Sequence, residues 1–237
     1  MQVDLFVPCF IDQMFPHTAW STVKLLEQAG CEVHYNTEQT CCGQALYNGG
    51  DTLHATKLAN KFIRDFPHTR PIITPSASCA AYIRNHYADM IDTESAQRLK
   101  NYTFELSDFL VNQVKKLDFS AHFPHKVCYH DACSALREYG LGDEPRQLLA
   151  EVAGLKLIKM PRRDECCGFG GTFMLKYAPI STAMTEQKVQ NALSTGADYI
   201  VSSEASCLLN IQSYIKAHNI ALKTIHLADI LAGQPTT

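Results

Sequence analysis

Short apolar runs alternate along the whole chain with longer amphipathic segments. Runs of four to six residues bounded by Gly, Pro or polar residues are typical of buried strands, and longer segments with apolar residues three or four positions apart are typical of helices. The pattern predicts strands at Val3–Pro8, Glu32–Tyr35, Pro71–Thr74, Lys126–Tyr129, Leu155–Met160 and Tyr199–Ser202. It predicts helices at His17–Ala29, Asp51–Phe66, Cys79–Tyr87, Glu144–Ala153, Ile180–Leu193 and Cys207–Ala217. Such alternation indicates an α/β fold of parallel sheets covered by helices.

The second half of the chain repeats the first. Four pairs of segments recur in the same order, at offsets of 121 to 128 residues. The pairs are Cys9 and Cys133, Cys41–Gly43 and Cys166–Gly168, Ser76–Cys79 and Glu204–Cys207, and Phe104–Leu110 and Ile225–Leu231. We interpret this regularity as an internal duplication. It predicts two pseudo-symmetric halves, residues 1–120 and residues 121–237, each a small, mainly parallel sheet flanked by helices.

Composition and charge narrow the class of protein. With 46% hydrophobic and 19% charged residues among 237, the chain has enough apolar side chains for a compact core. The net charge of −3 and the scattered Lys and Arg residues argue against a nucleic-acid partner. No apolar stretch approaches the roughly 20 residues of a membrane span, and no targeting segment is recognisable. We therefore expect a cytoplasmic protein, whose thiols stay reduced.

In that compartment, ten cysteines indicate metal or redox chemistry rather than disulfides. Cys31 and Cys128 lie in β-prone runs and are expected to pack as small apolar residues. The other eight form one set of four in each half. The first set is Cys9, Cys41, Cys42 and Cys79, and the second is Cys133, Cys166, Cys167 and Cys207. Four thiols suit a tetrahedral zinc ion or an iron–sulfur cluster.

The position of each set along the chain favours a binding site. One cysteine follows the first strand of each half and another follows the third, and ligands of parallel sheets collect at these strand ends. Adjacent cysteines suit a cluster with several metal atoms better than one zinc ion, whose ligand pairs are usually separated by two to four residues. The spacing thus favours an iron–sulfur centre, with zinc as the alternative.

Glycines accompany both pairs of adjacent cysteines. Because glycine has no Cβ, it lets the backbone turn sharply and approach a cofactor closely. The candidate cofactor-binding residues are Gly43, Gly168, Gly170 and Gly171. A tight turn beside the cysteines is the simpler explanation for the last three. The chain has neither a dinucleotide-binding G-x-G-x-x-G after a strand nor a P-loop. His130 and His17 are possible acid–base groups or hydrogen-bond donors to a cluster, and no catalytic residue is assigned.

Several motifs resemble those of a known family. They are Phe6–Cys9, Cys41–Gln44, Pro75–Cys79, Cys207–Ile211 and the string CCGFGGTF at 166–173. This arrangement resembles the CCG cysteine-rich domain of the heterodisulfide reductase B subunit. It is more similar still to the lactate utilisation protein A family of Fe–S oxidoreductase components. The resemblance extends from end to end of the chain.

The resemblance implies an electron-transfer subunit of a complex that oxidises L-lactate to pyruvate and allows lactate to serve as a carbon source. It implies an Fe–S partner subunit and a third small protein as partners. It also implies that the eight cysteines are metal ligands, with one iron–sulfur cluster per half. The cluster would be of the 4Fe-4S class and of an unusual, non-cubane kind.

One departure from the reductase pattern leaves alternatives open. Reductase halves end in C-x-x-C, whereas Ser76 and Glu204 occupy the first of those positions here. Each half therefore offers four candidate cysteines rather than five. The alternatives are a heterodisulfide-reductase-like thiol–disulfide redox subunit, zinc in one half, or a zinc-stabilised binding module without redox activity.

Overall fold

The computed structural model describes residues 1–233 and contains two four-stranded parallel sheets. The strands of the first sheet are β1 (Gln2–Leu5), β2 (Glu32–Tyr35), β3 (Ile72–Thr74) and β4 (Thr103–Glu105), in the order β2-β1-β3-β4. Those of the second sheet are β5 (Lys126–Tyr129), β6 (Lys156–Ile158), β7 (Tyr199–Ser202) and β8 (Lys223–His226), in the order β6-β5-β7-β8. The same order in both sheets confirms the predicted α/β class with two similar halves.

Helices connect the strands and cover both sheets. The first half contains α1 (Cys9–Met14), α2 (Pro16–Gln28), α3 (Gln44–Asn48), α4 (Thr52–Asp65), α5 (Ala77–Met90), α6 (Glu94–Tyr102) and α7 (Leu106–Asp108), which a π-helical segment (Phe109–Val114) continues. The second half contains a π-helical segment (Ser134–Tyr139), then α8 (Glu144–Ala150), α9 (Thr172–Lys176), α10 (Ala178–Leu193), α11 (Ala205–Ala217) and α12 (Leu227–Leu231). No helix within residues 1–233 is both long and apolar enough to cross a membrane.

The hydrophobic pattern located the main elements and missed the shortest ones. Every predicted strand and helix is present, and β2, β5 and β7 have the predicted bounds. The predicted first strand extends to Pro8, whereas β1 ends at Leu5. Beyond it, the Val7 N–H donates to the Gln39 side chain instead of a neighbouring strand, and Pro8 has no N–H. The outer strands β4 and β8 were not predicted. β4 has only three residues, and the four residues of β8 change from exposed to buried along the strand instead of alternating. Each of these strands leads directly into a helix.

A shared hydrophobic core joins the two halves. One cluster of buried side chains includes Val3 and Leu5 of β1 together with Val127 of β5 and Val201 of β7. Each half also has a hydrophobic cluster mainly of its own residues, which includes the buried cysteines of that half's set. Because the central cluster takes side chains from both sheets, the relative position of the halves is part of the fold.

Polar contacts add to this junction. Helix α2 packs on α12, where the buried carboxylate of Asp229 accepts hydrogen bonds from Thr18 Oγ1 at 2.9 Å and Ser21 Oγ at 2.7 Å. Helix α5 packs against the π-helical segment 134–139. These contacts bring the strand ends of the two sheets to a common boundary.

Candidate metal centre

In each half, the cysteines gather at the carboxyl ends of the strands. From β1 the chain runs to β2 on one side of the sheet, and from β3 it runs to β4 on the other side. A crevice therefore opens between β1 and β3. Cys9 begins the helix after β1, and Cys79 lies in the first turn of α5, after β3. The loop after β2 contributes Cys41 and Cys42. The topology therefore brings together three segments that are far apart in sequence.

The second half repeats this arrangement. Cys133 immediately precedes the π-helical segment after β5, and Cys207 lies in the first turn of α11, after β7. Cys166 and Cys167 follow β6.

All eight cysteines line a single cavity at the boundary between the halves, with a volume of about 260 Å³. Cys42, Cys79, Cys167 and Cys207 are buried, whereas Cys9 is exposed and the remaining three are half-buried. Phe10 and Phe169 also line the cavity, with ring centroids 5.6 Å apart, one ring from each half. The two predicted sets are thus neighbours around one space.

Cys31 and Cys128, the two cysteines not predicted as ligands, lie elsewhere. Both are buried, Cys31 in the central core and Cys128 in the core of the second half. Neither lines the cavity. Their placement agrees with the prediction that they pack as apolar residues.

The thiols of the first set interact with one another. Cys42 Sγ lies 3.3 Å from Cys79 Sγ. Hydrogen bonds from the thiols of Cys42 and Cys9, together with the Gly43 N–H, lower the pKa of Cys41 to about 3, against burial, which raises it. The same hydrogen bond to Cys41, with burial, raises the pKa of Cys9 and of Cys42. The hydrogen bonds around Cys41 therefore stabilise its thiolate form.

The second set has the same electrostatic pattern. Hydrogen bonds from Cys133 and Cys167, and from the Gly168 N–H, lower the pKa of Cys166 to about 2, although burial opposes them. The hydrogen bond to Cys166, with burial, raises the pKa of Cys133 and Cys167. Metal binding displaces protons from such thiols, since the thiolate is the ligand form.

The glycine of each C-C-G tripeptide forms the turn and hydrogen-bonds a sulfur. Gly43 N–H donates to Cys41 Sγ at 3.3 Å, and Gly168 N–H donates to Cys166 Sγ at 3.4 Å. Their φ angles are +93° and +90°, a region that residues with a Cβ rarely adopt. A Cβ at Gly168 would lie 2.4 Å from the Ser181 carbonyl oxygen. The predicted Gly170 and Gly171 line the cavity itself.

Side chains outside the predicted site fix the two cysteine loops. Tyr87 O–H donates to the Cys42 carbonyl at 2.7 Å. In the second half, Thr185 Oγ1 and Asn210 Nδ2 donate to the Cys167 carbonyl at 2.9 and 3.1 Å, and Ser181 Oγ donates to the Gly168 carbonyl. The equivalent loops are therefore held by different residues. Sequence reasoning missed all four, because neither periodicity nor spacing indicates which helical side chain meets a loop carbonyl.

Glu204 connects the two sets of cysteines. Its buried carboxylate accepts hydrogen bonds from Ser78 N–H at 2.9 Å and Ser76 Oγ at 3.2 Å in the first half, and from Ser206 Oγ at 2.9 Å in its own half. The two positions where the reductase pattern has cysteines, Ser76 and Glu204, therefore bind each other across the boundary. The sequence identified both as departures without indicating this contact.

His130 and His17, the two histidines singled out from the sequence, occupy different places. The His130 ring lies fully buried beside the second set, where one nitrogen and the sulfurs of Cys167 and Cys207 are within 4.8 Å of one another. Burial, helped by the charge of Lys188, lowers the pKa of His130 to about 3, although the Arg163 carbonyl and Cys166 act in the opposite direction. His17 lies away from the cysteines, with Nε2 3.3 Å from Asp229 Oδ2.

Lys188 is a buried cation that sequence reasoning missed. Its Nζ donates to the carbonyls of Arg162 at 2.7 Å and Arg163 at 3.3 Å, which fixes the segment leading to Cys166. Lys188 lies on the buried face of α10 with Thr185 and Ala192. A lysine at a predicted buried position of a helix can be noticed in the sequence, because lysine is rarely buried without a partner.

These donor sets fit a metal ion or an iron–sulfur cofactor. Each half offers four sulfur donors on three segments around one space, and thiolate is the ligand of clusters and of structural zinc. A buried imidazole adjoins the second set. The geometry therefore supports a metal-binding role for both sets of cysteines.

Comparisons with known proteins agree with this arrangement. The family of CCG cysteine-rich domains matches residues 3–84 and again residues 127–212. Lactate utilization protein A 2 of Bacillus cereus (strain AH820) is 36% identical over 237 residues, covering 98% of both chains. Lactate utilization protein A of Halalkalibacterium halodurans is 39% identical over 241 residues, covering 100% of this chain and 99% of the relative.

A solved structure shares the fold. The crystal structure of a hypothetical protein from Helicobacter pylori superposes with a TM-score of 0.64 at 12% identity, covering 99% of this chain and 49% of that chain. At this identity the similarity extends to the fold alone. The match of two CCG domains and the whole-length identity to two named relatives establish the family. This chain belongs to the lactate utilisation protein A family and carries the CCG cysteine-rich domain twice.

Proposed function

We propose that this chain is the iron–sulfur electron-transfer subunit of a complex that oxidises L-lactate to pyruvate, which allows lactate to serve as a carbon source. The family relationship supports the lactate part of this proposal, since the relatives are named for lactate utilization. The eight cysteines support the electron-transfer part. The chain would act as an oxidoreductase component together with partner subunits.

The observation that carries the proposal is the common cavity of the two cysteine sets. Four thiols from each half would hold one cluster of the 4Fe-4S class, and a bound cluster supplies reversible electron transfer. The buried cysteines hold the inner side of each site, while Cys9, Cys41, Cys133 and Cys166 remain accessible from outside. On this proposal, two centres would lie side by side with an open face for a partner.

The charge of the cavity supports assigning lactate oxidation to a partner subunit. Within residues 1–233, the charged side chains that line the cavity are Glu138 and Glu204, both acidic. Carboxylates and thiolates repel an anionic substrate such as lactate, and no Lys or Arg of the described chain lines this space to pair with it. We therefore assign electron relay to this chain, with an Fe–S partner subunit and a third small protein completing the complex.

A growth experiment tests this proposal. A strain lacking the gene is complemented with wild type, with Cys41→Ala, with Cys166→Ala, or with the matched control Cys31→Ala, whose thiol lies in the core and away from the cavity. We expect wild type and the control to restore growth on L-lactate, and the two cavity variants to fail although the protein is present. Normal growth of the deletion strain on L-lactate would refute the lactate proposal.

A second function is favoured by one observation, the proximity of His130 to Cys167 and Cys207. Mixed cysteine and histidine ligands are typical of structural zinc. On this alternative, the chain is a zinc-stabilised binding module without redox activity. Colourless protein with stoichiometric zinc after anaerobic purification would favour it over the iron–sulfur proposal.

A further inference from the structure

His130 is a buried polar side chain without a polar partner. It follows β5 directly, its ring is 0% exposed, and neither Nδ1 nor Nε2 has a hydrogen-bond partner among the described residues. Buried polar groups are almost always paired, because a buried group without a partner has lost its hydrogen bonds to water without replacing them. An imidazole in this position therefore requires a partner.

The Arg163 carbonyl acts to raise the pKa of His130, but it makes no hydrogen bond with either ring nitrogen. The Arg163 carbonyl accepts from the Asp131 N–H at 3.2 Å and from Lys188 Nζ at 3.3 Å. A carbonyl oxygen has two lone pairs, so these donors satisfy it. The ammonium group of Lys188 has no lone pair to offer. The sulfurs of Cys167 and Cys207 also lie near the ring.

The ring points toward the second set of cysteines. One of its nitrogens, Cys167 Sγ and Cys207 Sγ all lie within 4.8 Å of one another, and all three side chains are buried. Within residues 1–233 this is the only group of three or more His, Cys, Asp or Glu ligand atoms gathered so closely. An unpaired nitrogen thus adjoins two candidate ligands.

The internal duplication provides a comparison position. The offset of 124 residues that relates Cys9 to Cys133 also relates Phe6 to His130. Phe6 is fully buried and packs edge to face on Phe62 and Phe66, with ring centroids 5.0 and 6.1 Å away. In the first half, a hydrocarbon ring therefore fills the place that an imidazole occupies in the second. Packing alone does not require a nitrogen at this position.

We propose that His130 is an additional ligand of the cluster held by the second set of cysteines, binding an iron atom through a ring nitrogen. The inference rests on the proposed iron–sulfur function and deepens it. The two centres then differ in kind: the first has only cysteine ligands, and the second has a mixed set. A neutral imidazole adds no negative charge, and histidine ligation raises the reduction potential of a cluster. The second centre is therefore the better electron acceptor of the two.

Pulse EPR on the full chain, purified anaerobically from a histidine auxotroph grown with ¹⁵N-histidine, tests this assignment. We expect a strong ¹⁵N coupling from directly bound imidazole in the reduced wild type. His130→Phe, which introduces the residue of the first half, should abolish the coupling and lower the potential of one centre. Phe6→Leu, the matched control, should retain both the ¹⁵N coupling and the wild-type potential. If His130→Phe does not fold, His130→Gln provides the same test.

The outcomes separate this inference from the proposal on which it rests. A cluster present in the wild type without strong ¹⁵N coupling would show that His130 is not a ligand, and would leave the electron-transfer proposal intact. A coupling that persists in His130→Gln would assign it to another histidine and overturn the inference. Protein without iron would overturn both. Loss of the coupling together with a lowered potential in the His130 variants would support the assignment.

Discussion

The two C-C-G turns should differ sharply in their tolerance of an added methyl group. Alanine at either glycine must adopt a φ near +90°, which costs about 1–2 kcal/mol. Alanine also reduces the conformational freedom of the unfolded chain, which stabilises the folded state by about 0.4–1 kcal/mol. At Gly43, the nearest atoms to a Cβ lie at 3.4 Å, an ordinary contact. Gly43→Ala should therefore lower the free energy of unfolding by about 1 kcal/mol.

At Gly168 the same methyl group also meets a steric barrier. Its Cβ would lie 2.4 Å from the Ser181 carbonyl oxygen and 2.9 Å from Thr185 Oγ1. Overpacking of this kind costs about 1–3 kcal/mol. Gly168→Ala should therefore lower the free energy of unfolding by about 2–4 kcal/mol in total. Because Thr185 also holds the Cys167 carbonyl, the variant should bind less metal at the second set.

Anaerobic urea unfolding followed by circular dichroism, with metal analysis of the same samples, measures both effects. The Gly43 variant is the internal control, since it has the same turn conformation without the clash. Equal losses of stability in the two variants would refute the steric reasoning. Full metal content in Gly168→Ala would refute the link between the turn and the second site.

Two further predictions concern buried carboxylates. Asp229→Ala should leave the buried hydroxyls of Thr18 and Ser21 unpaired and lower the free energy of unfolding by about 2–5 kcal/mol; a urea midpoint within error of wild type would contradict this. Burial raises the pKa of Glu105 to about 8 from its ordinary value of 4.5. The folded protein then binds a proton that the unfolded chain releases, so this contribution to stability should be lost as pH rises from about 4.5 to 8. Glu105→Gln should flatten that decline, and identical pH profiles would contradict the reasoning.

The sequence predicted most of the fold because the signals were local and repeated. Buried strands such as Tyr199–Ser202 and long helices such as Asp51–Phe66 have patterns that survive in the structure with changes of one residue or less. The duplication paired Cys9 with Cys133 and Cys41 with Cys166. Topology then explains why segments so distant along the chain meet at one edge.

Contacts across the boundary between the halves could not be predicted in this way. Glu204 and Ser76 each looked like a missing cysteine, and only the fold shows that they hydrogen-bond each other. His130 was a candidate from the sequence, but only the folded structure shows that its ring nitrogens have no hydrogen-bond partner among the described residues. Lys188 depends on carbonyls more than twenty residues away along the chain. Such pairings depend on how the elements pack, and the hydrophobic periodicity of the sequence does not indicate them.

The most direct test of the central claim is iron, sulfide and zinc analysis with EPR on anaerobically purified protein. We predict brown wild-type protein with about four iron and four sulfide at each of two centres, since each set offers four thiolates to a cluster. Cys41→Ala and Cys166→Ala should each lose one centre and keep the other. Cys128→Ala, whose thiol lies in the core of the second half, should retain both centres. Colourless protein containing zinc without iron, or cavity variants with unchanged metal content and spectrum, would contradict the account.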